Sequence, residues 1–104
     1  MKLVLSNLPP DRAGAIARTL VEERLAACIN LLPIRSVYRW KGTIAEEAET
    51  TLLIKVAAAR VDALTQRLRA LHPYELPEIL VLDIDEQRSL AEYVAWVRTE
   101  CAPE

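Results

Sequence analysis

The order in which two hydrophobic periods alternate along the chain limits the folds that it can adopt. Apolar runs of β type alternate with segments in which apolar residues recur at helical spacing. The resulting order is strand, helix, strand, strand, helix, strand, followed by a third helix. The first six elements match the split β-α-β, or ferredoxin-like, arrangement. The sequence therefore predicts an α+β fold of this type with an additional C-terminal helix.

The first half of the chain supplies a strand, a helix and a hairpin. The run KLVLS (Lys2–Ser6) predicts a first strand. Helical spacing then extends over Asp11–Ala26, with Asp11 as the expected N-cap. Two β-type segments, CINLLPIRSVYRW (Cys28–Trp40) and IAEEAETTLLIKVAA, flank the turn Lys41–Thr43 and predict a hairpin. Within the hairpin, we expect the acidic group EEAE at its outer part to be a solvated strand end.

The second half supplies a helix, a strand and a last helix. Helical spacing returns over Arg60–Leu71 and must stop at His72, because a residue that precedes a proline is pushed out of the α region. The apolar run Glu78–Ile84 is typical of a central strand that is covered on both faces. A last helix follows, for which Asp85 or Ser89 is the expected N-cap.

Right-handed crossovers place the two main helices on one face of the four-stranded sheet and leave the other face uncovered. Either the third helix or another subunit must then cover that face. Composition also favours an oligomer, because 52% of the 104 residues are hydrophobic and a small monomer does not hide such a share easily. We therefore expect one domain, residues 1–104, that assembles with copies of itself.

Composition also excludes several classes of function. The net charge of −2 and the absence of aromatic residues from KLVLS and TLLIK, the expected central strands, argue against nucleic acid binding. No stretch approaches the roughly 18 apolar residues of a membrane span, and the N-terminus does not resemble a signal peptide, so a cytoplasmic protein is expected. No nucleophile–base–orienter set is recognisable, so we expect no enzyme.

The segment HPYELPE follows the second helix and holds the single histidine, His72. Two prolines make it a stiff connection. His72 can bind copper or zinc through its ring nitrogens, with Glu75 and Glu78 as nearby oxygen donors. The alternative is that His72 forms hydrogen bonds with free carbonyls at the end of the helix. Two interpretations are also open for Cys28: it is either a thiolate metal ligand or a buried thiol at the start of a strand.

Two aromatic residues, Tyr38 and Trp40, lie near the tip of the hairpin. They can stack on a ligand or fill a contact between subunits. Arg39 and Lys55 can add positive charge to such a site or remain ordinary solvated side chains. These residues define a second candidate site that is separate from the metal hypothesis.

Five segments of the chain resemble the CutA family of divalent-cation tolerance proteins. They are VEERLAACINLLP, SVYRWKGTI, LLIK, LHPYELPEIL and YVAWV, in that order, and they cover nearly the whole chain. The resemblance implies a compact homotrimer of ferredoxin-like subunits whose long hairpins extend the sheets of neighbours. It also implies a link to tolerance of divalent metals, chiefly copper, with weak metal binding.

The resemblance implies candidate residues too. Some members of the family have a cysteine where this chain has Ser6, and a histidine where it has Leu71, so that only His72 keeps a ligand-type side chain there. Together with Cys28 and Glu75, which were considered above from their residue types alone, the expected metal ligands are therefore His72, Cys28 and Glu75, with copper or another divalent cation as an optional and not obligatory cofactor.

The similarity of CutA trimers to PII signalling proteins implies an alternative function. On this reading, the chain is a signalling or scaffold trimer that binds a small anion or a protein partner. Its cleft would lie between subunits and be formed by Tyr38, Trp40, Tyr74 and Glu78.

Overall fold

The computed structural model describes residues 1–103, and its secondary structure follows the predicted order. The elements are β1 (Lys2–Leu8), α1 (Pro10–Glu22), β2 (Cys28–Trp40), β3 (Thr43–Val56), a short 3-10 turn (Ala58–Arg60), α2 (Val61–Leu71), β4 (Leu80–Asp83) and α3 (Ala91–Glu100). None of the helices among these residues has the length and apolar character needed to cross a membrane.

The strands form one antiparallel sheet in the order β2-β3-β1-β4. This confirms the ferredoxin-like prediction and places β1 and β3 at the centre, as expected. The hairpin turn has two residues, Lys41 and Gly42, with φ values of 49° and 84°. Such left-handed conformations are typical of the tight turns that match the twist of a hairpin.

The hydrophobic core lies between the sheet and the helices α1 and α2. Alternate residues of β1 and β3, such as Val4 and Ile54, point towards these helices and are fully buried. Leu20 and Leu68 cover them from the helical layer. Just after α3, Cys101 is buried in the same core, where its thiol packs as a small apolar side chain.

The predicted helix caps are wrong. Helix α1 begins at Pro10 with Pro9 as its N-cap, so Asp11 already lies in the first turn. Proline suits the first helical position because its φ is fixed and it has no N–H that would need a partner. The helix ends at Glu22, four residues before Ala26, and the chain turns away at Arg24, which has a positive φ of 59°.

The cap predicted for the last helix is also wrong. Leu90 is the N-cap of α3. Asp85 and Ser89 instead close the preceding turn, where the backbone N–H and the hydroxyl of Ser89 both donate to the carbonyl of Asp85.

The prediction for the last strand is wrong as well. Strand β4 has four residues, lies at the edge of the sheet and pairs only with β1. All four of its residues are exposed in the single chain. Its apolar run therefore does not reflect burial by helices on both faces.

The face of the sheet opposite α1 and α2 carries a set of leucines. Cross-strand pairs such as Leu5 with Leu53 and Leu80 place them side by side. We call this surface the open sheet face, and its leucines are Leu3, Leu5, Leu32, Leu53, Leu80 and Leu82. Helix α3 does not cover Leu80 or Leu82, which remain exposed.

Candidate functional site

A cleft of about 710 Å³ lies between the β2–β3 hairpin and the loop that follows α2. This volume falls within the range of small-molecule sites. Thirteen residues line the cleft: Asn7, Ser36, Val37, Tyr38, Arg39, Trp40, Glu47, Glu49, Pro73, Tyr74, Glu75, Leu76 and Glu78. It therefore brings together all four residues predicted for a ligand cleft.

The register of the hairpin builds one wall of the cleft. Ser36 lies opposite Glu47, and Tyr38 lies opposite Ala45. Because side chains alternate between the two faces of a strand, Tyr38, Trp40, Glu47 and Glu49 project from the same face. This face continues the open sheet face towards the hairpin tip.

His72 joins the loop to the sheet behind this wall. Its Nε2 lies 2.9 Å from the carbonyl oxygen of Asn7, and the backbone N–H of Tyr74 donates to its Nδ1 at 3.2 Å. Since a carbonyl can only accept, Nε2 carries the proton and the ring is neutral. Burial lowers the pKa of His72, and the bond to Asn7 and the charge of Glu49 oppose this effect.

We expected His72 to form hydrogen bonds with carbonyls at the end of its own helix. His72 does bind a carbonyl, but not one of that helix. The carbonyl belongs to Asn7 of β1, which lies 65 residues away along the chain. His72 therefore connects the loop to the central strand. Both of its ring nitrogens are already engaged, which leaves no free lone pair for a metal ion.

Tyr74 projects from the loop and contacts a carboxylate of the hairpin. Its hydroxyl donates to Oε2 of Glu49 at 2.8 Å. Burial, and next the bond to Glu49, raise the pKa of Tyr74 well above its usual value. Burial also raises the pKa of Tyr38, with a smaller effect from the carboxylate of Glu47. Both phenols are thus neutral, and that of Tyr74 is a donor to a carboxylate.

The acidic group of the hairpin was missed as part of the site. Glu47 and Glu49 line the cleft, and Glu49 is only 7% exposed, so the prediction of a solvated strand end is wrong for it. The spacing of Glu47 and Glu49, two residues apart, puts both on one strand face and was the available signal. Glu46, which directly precedes Glu47, projects from the opposite face.

The residues predicted to bind metal are not assembled in the single chain. Cys28 lies opposite Lys55 on β3. Asn7, which holds His72, lies opposite a β3 residue four positions away from Lys55, so the two sites are separated by about 13 Å along that strand. The carboxylate of Glu75 lies 3.5 Å from the ammonium group of Lys41. Within residues 1–103, no three His, Cys, Asp or Glu side chains form a group that could hold a metal ion.

Of the two basic residues considered for the cleft, only one lies there. Arg39 lines it. Lys55 lies beside Cys28, towards the other end of the sheet.

Comparisons with known proteins agree on one family. The family model described as CutA1 divalent ion tolerance protein matches residues 2–100. A relative from Thermus thermophilus named divalent-cation tolerance protein CutA is 44% identical over 99 residues, which cover 93% of this chain and 94% of the relative. The chain spans about half the length of the human and mouse relatives.

Solved structures show the same fold over the whole chain. The PII-like protein CutA from Nostoc, in apo form, is 48% identical with a TM-score of 0.97, and the match covers 100% of both chains. A protein from Archaeoglobus fulgidus described as a periplasmic divalent cation tolerance protein CutA is 29% identical with a TM-score of 0.91. That match covers 98% of this chain and 100% of the other.

The engaged ring of His72 generates a prediction about pH. The unfolded imidazole takes up a proton near pH 6.5, whereas the folded one does so only at lower pH. The stability that His72 contributes is therefore present above pH 6.5 and is lost as the pH falls through the folded pKa. At pH 7.5, we expect His72→Gln to lower the free energy of unfolding by about 1–3 kcal/mol.

Urea denaturation of both proteins at pH 7.5 and pH 5.5, at one protein concentration, measures this effect. The difference in stability between wild type and His72→Gln should shrink at the lower pH. An equal difference at both pH values would contradict the role of the neutral ring.

Proposed function

The chain belongs to the CutA1 family of divalent ion tolerance proteins, and from this premise we propose that it supports divalent-cation tolerance as a homotrimer that binds a small molecule in its cleft. The observation that carries this proposal is the cleft itself, in which Tyr38, Trp40 and Tyr74 surround a space of small-molecule size. The PII-like description of the Nostoc relative supports the same reading. On this proposal the protein is a binding module and not a catalyst.

The open sheet face supports a trimer. Leu82 is 40% exposed and lies beside Leu3, among further leucines of that face. Full burial of one such side chain is worth about 1.5–3 kcal/mol, so covering several of them favours association. The cleft begins where this face continues onto the hairpin, and therefore lies at the proposed boundary between subunits.

A charged residue on the open sheet face should prevent assembly. Leu82→Glu disturbs little inside one chain, because Leu82 is already partly exposed there, but it would bury a carboxylate between subunits. We expect wild type to have three times the 11.7 kDa mass of one chain in sedimentation equilibrium, and Leu82→Glu to dissociate. Val21→Glu, on the partly exposed side of α1, is the matched control and should remain trimeric. A stable Leu82→Glu trimer would refute this interface.

A thermal-shift screen of nucleotides, small acids and small amines tests the ligand cleft. We expect at least one compound to raise Tm with saturation, because a ligand that binds only the folded state stabilises it. Trp40→Leu should abolish the shift, since Trp40 lines the cleft, and Trp96→Leu should keep it. A flat response across the screen would count against a small-molecule function.

Direct metal binding is the second candidate function. Four carboxylates line the cleft, those of Glu47, Glu49, Glu75 and Glu78, and oxygen donors of this kind suit hard divalent ions. Copper prefers imidazole or thiolate ligands, but both ring nitrogens of His72 are engaged and Cys28 lies outside the cleft. We therefore propose that any copper binding is weak.

Competition of copper against a chelator of known affinity, under reducing conditions, measures this. We expect wild type and His72→Ala to bind copper weakly and within about twofold of each other, because His72 has no free lone pair. Tight, stoichiometric binding that is lost in His72→Ala would instead make His72 a metal ligand.

A cytoplasmic location is part of the proposal. Cys28 and Cys101 are both free, as is usual in a reducing compartment. The Archaeoglobus relative is described as periplasmic, so location can differ within the family.

A further inference from the structure

The chemistry of the cleft walls selects one class of ligand. Four glutamates line the cleft, whereas Arg39 is the one basic residue in its lining. The cleft therefore repels small anions and attracts cations. Glu49 is also fixed in place, because its Oε2 accepts a hydrogen bond from the phenol of Tyr74 at 2.8 Å.

The aromatic residues complete this environment. Tyr38, Trp40 and Tyr74 line the cleft, and the faces of aromatic rings attract ammonium and guanidinium groups. Aromatic rings next to carboxylates favour an organic cation over a bare metal ion, since the rings attract the organic cation but provide no ligands to a metal. The lack of any metal-binding group of three among residues 1–103 agrees with this preference.

The protein itself shows how such a cation is held. The ammonium group of Lys41 lies 5.6 Å from the centre of the Trp40 ring and 3.5 Å from Oε2 of Glu75. This is a primary ammonium placed between an aromatic face and a carboxylate at the edge of the cleft. Lys41 is largely exposed and is held by no other ion pair among the described residues, so a competing ammonium can replace it.

We infer that the cleft binds a small organic cation with a primary ammonium or guanidinium group, which takes the position of the Lys41 ammonium and reaches the carboxylates of the hairpin. This inference rests on the proposed ligand cleft and names the class of its ligand. Lys41 then acts as an internal competitor at the entrance.

Fluorescence titration of a Trp96→Phe variant tests the inference, because Trp40 is then the only tryptophan. The probe is 1,4-diaminobutane, with 1,4-butanediol and sodium butyrate as neutral and anionic controls at equal ionic strength. We expect a saturable change in Trp40 emission with the diamine and none with the controls. An equal response to butanediol, or no response to the diamine, would overturn the inference.

Substitutions in the same background locate the interaction. Glu47→Gln should weaken diamine binding about tenfold, which is the usual loss for a charge-assisted hydrogen bond. Glu46→Gln is the matched control, one residue away on the opposite strand face, and should change affinity less than twofold. Lys41→Gln should tighten binding, because it removes the internal competitor. Equal effects of Glu47→Gln and Glu46→Gln, or weaker binding by Lys41→Gln, would contradict the assignment.

The inference and the proposed function can fail separately. Saturable binding of butyrate or of a nucleotide, without diamine binding, would overturn the organic cation and leave a ligand cleft in place. If no compound binds in either the titration or the thermal-shift screen, both the organic-cation inference and the proposed ligand cleft are overturned.

Discussion

The register between β1 and β3 determines which side chains form the core and which form the open sheet face. With Val4 opposite Ile54, one set of side chains faces α1 and α2 and forms the core. The alternate set, with Leu5 opposite Leu53, forms the open sheet face. A shift by one residue would exchange the two sets and bury Lys55 in the core, so the core and the open face are fixed together.

The same alternation continues beyond the sheet centre and builds the cleft. Its carboxylates at Glu47 and Glu49 lie on β3 in phase with Leu53, so the acidic wall and the open sheet face are one continuous surface. The opposite wall comes from the loop, and His72 holds that loop to the carbonyl of Asn7. The only histidine of the chain thus holds the cleft in shape. Because both of its ring nitrogens are engaged, the geometry of His72 does not support the metal-binding hypothesis.

Hydrophobic periodicity correctly predicted the features that depend on local sequence. It failed for features that depend on pairing or contact between distant segments. The order of elements and the hairpin follow from residues close in sequence, and both were predicted. The central position of β1 and β3 was predicted from the match of that order to the ferredoxin-like fold. The apolar run of β4 indicated burial but not by what, since a run covered by helices and a run on an exposed edge have the same composition. Glu49 was assigned to solvent because its burial depends on Tyr74, 25 residues away. The aromatic and carboxylate residues of the cleft could be named individually, but only the register shows that they share a face.

The length of the hairpin links the cleft to assembly. Strand β1 pairs with β3 only as far as Thr50, so the β3 residues 43–49 have β2 as their sole strand partner in one chain. This overhanging part of the hairpin carries Tyr38 and Trp40 on β2 and Glu47 and Glu49 on β3. The free edge of β3 there offers unpaired backbone groups to another strand. On the proposed trimer, a neighbouring subunit that pairs with this edge would also fix the acidic and aromatic wall. Ligand binding and assembly would then stabilise each other, because a coupling free energy between two sites acts equally in both directions.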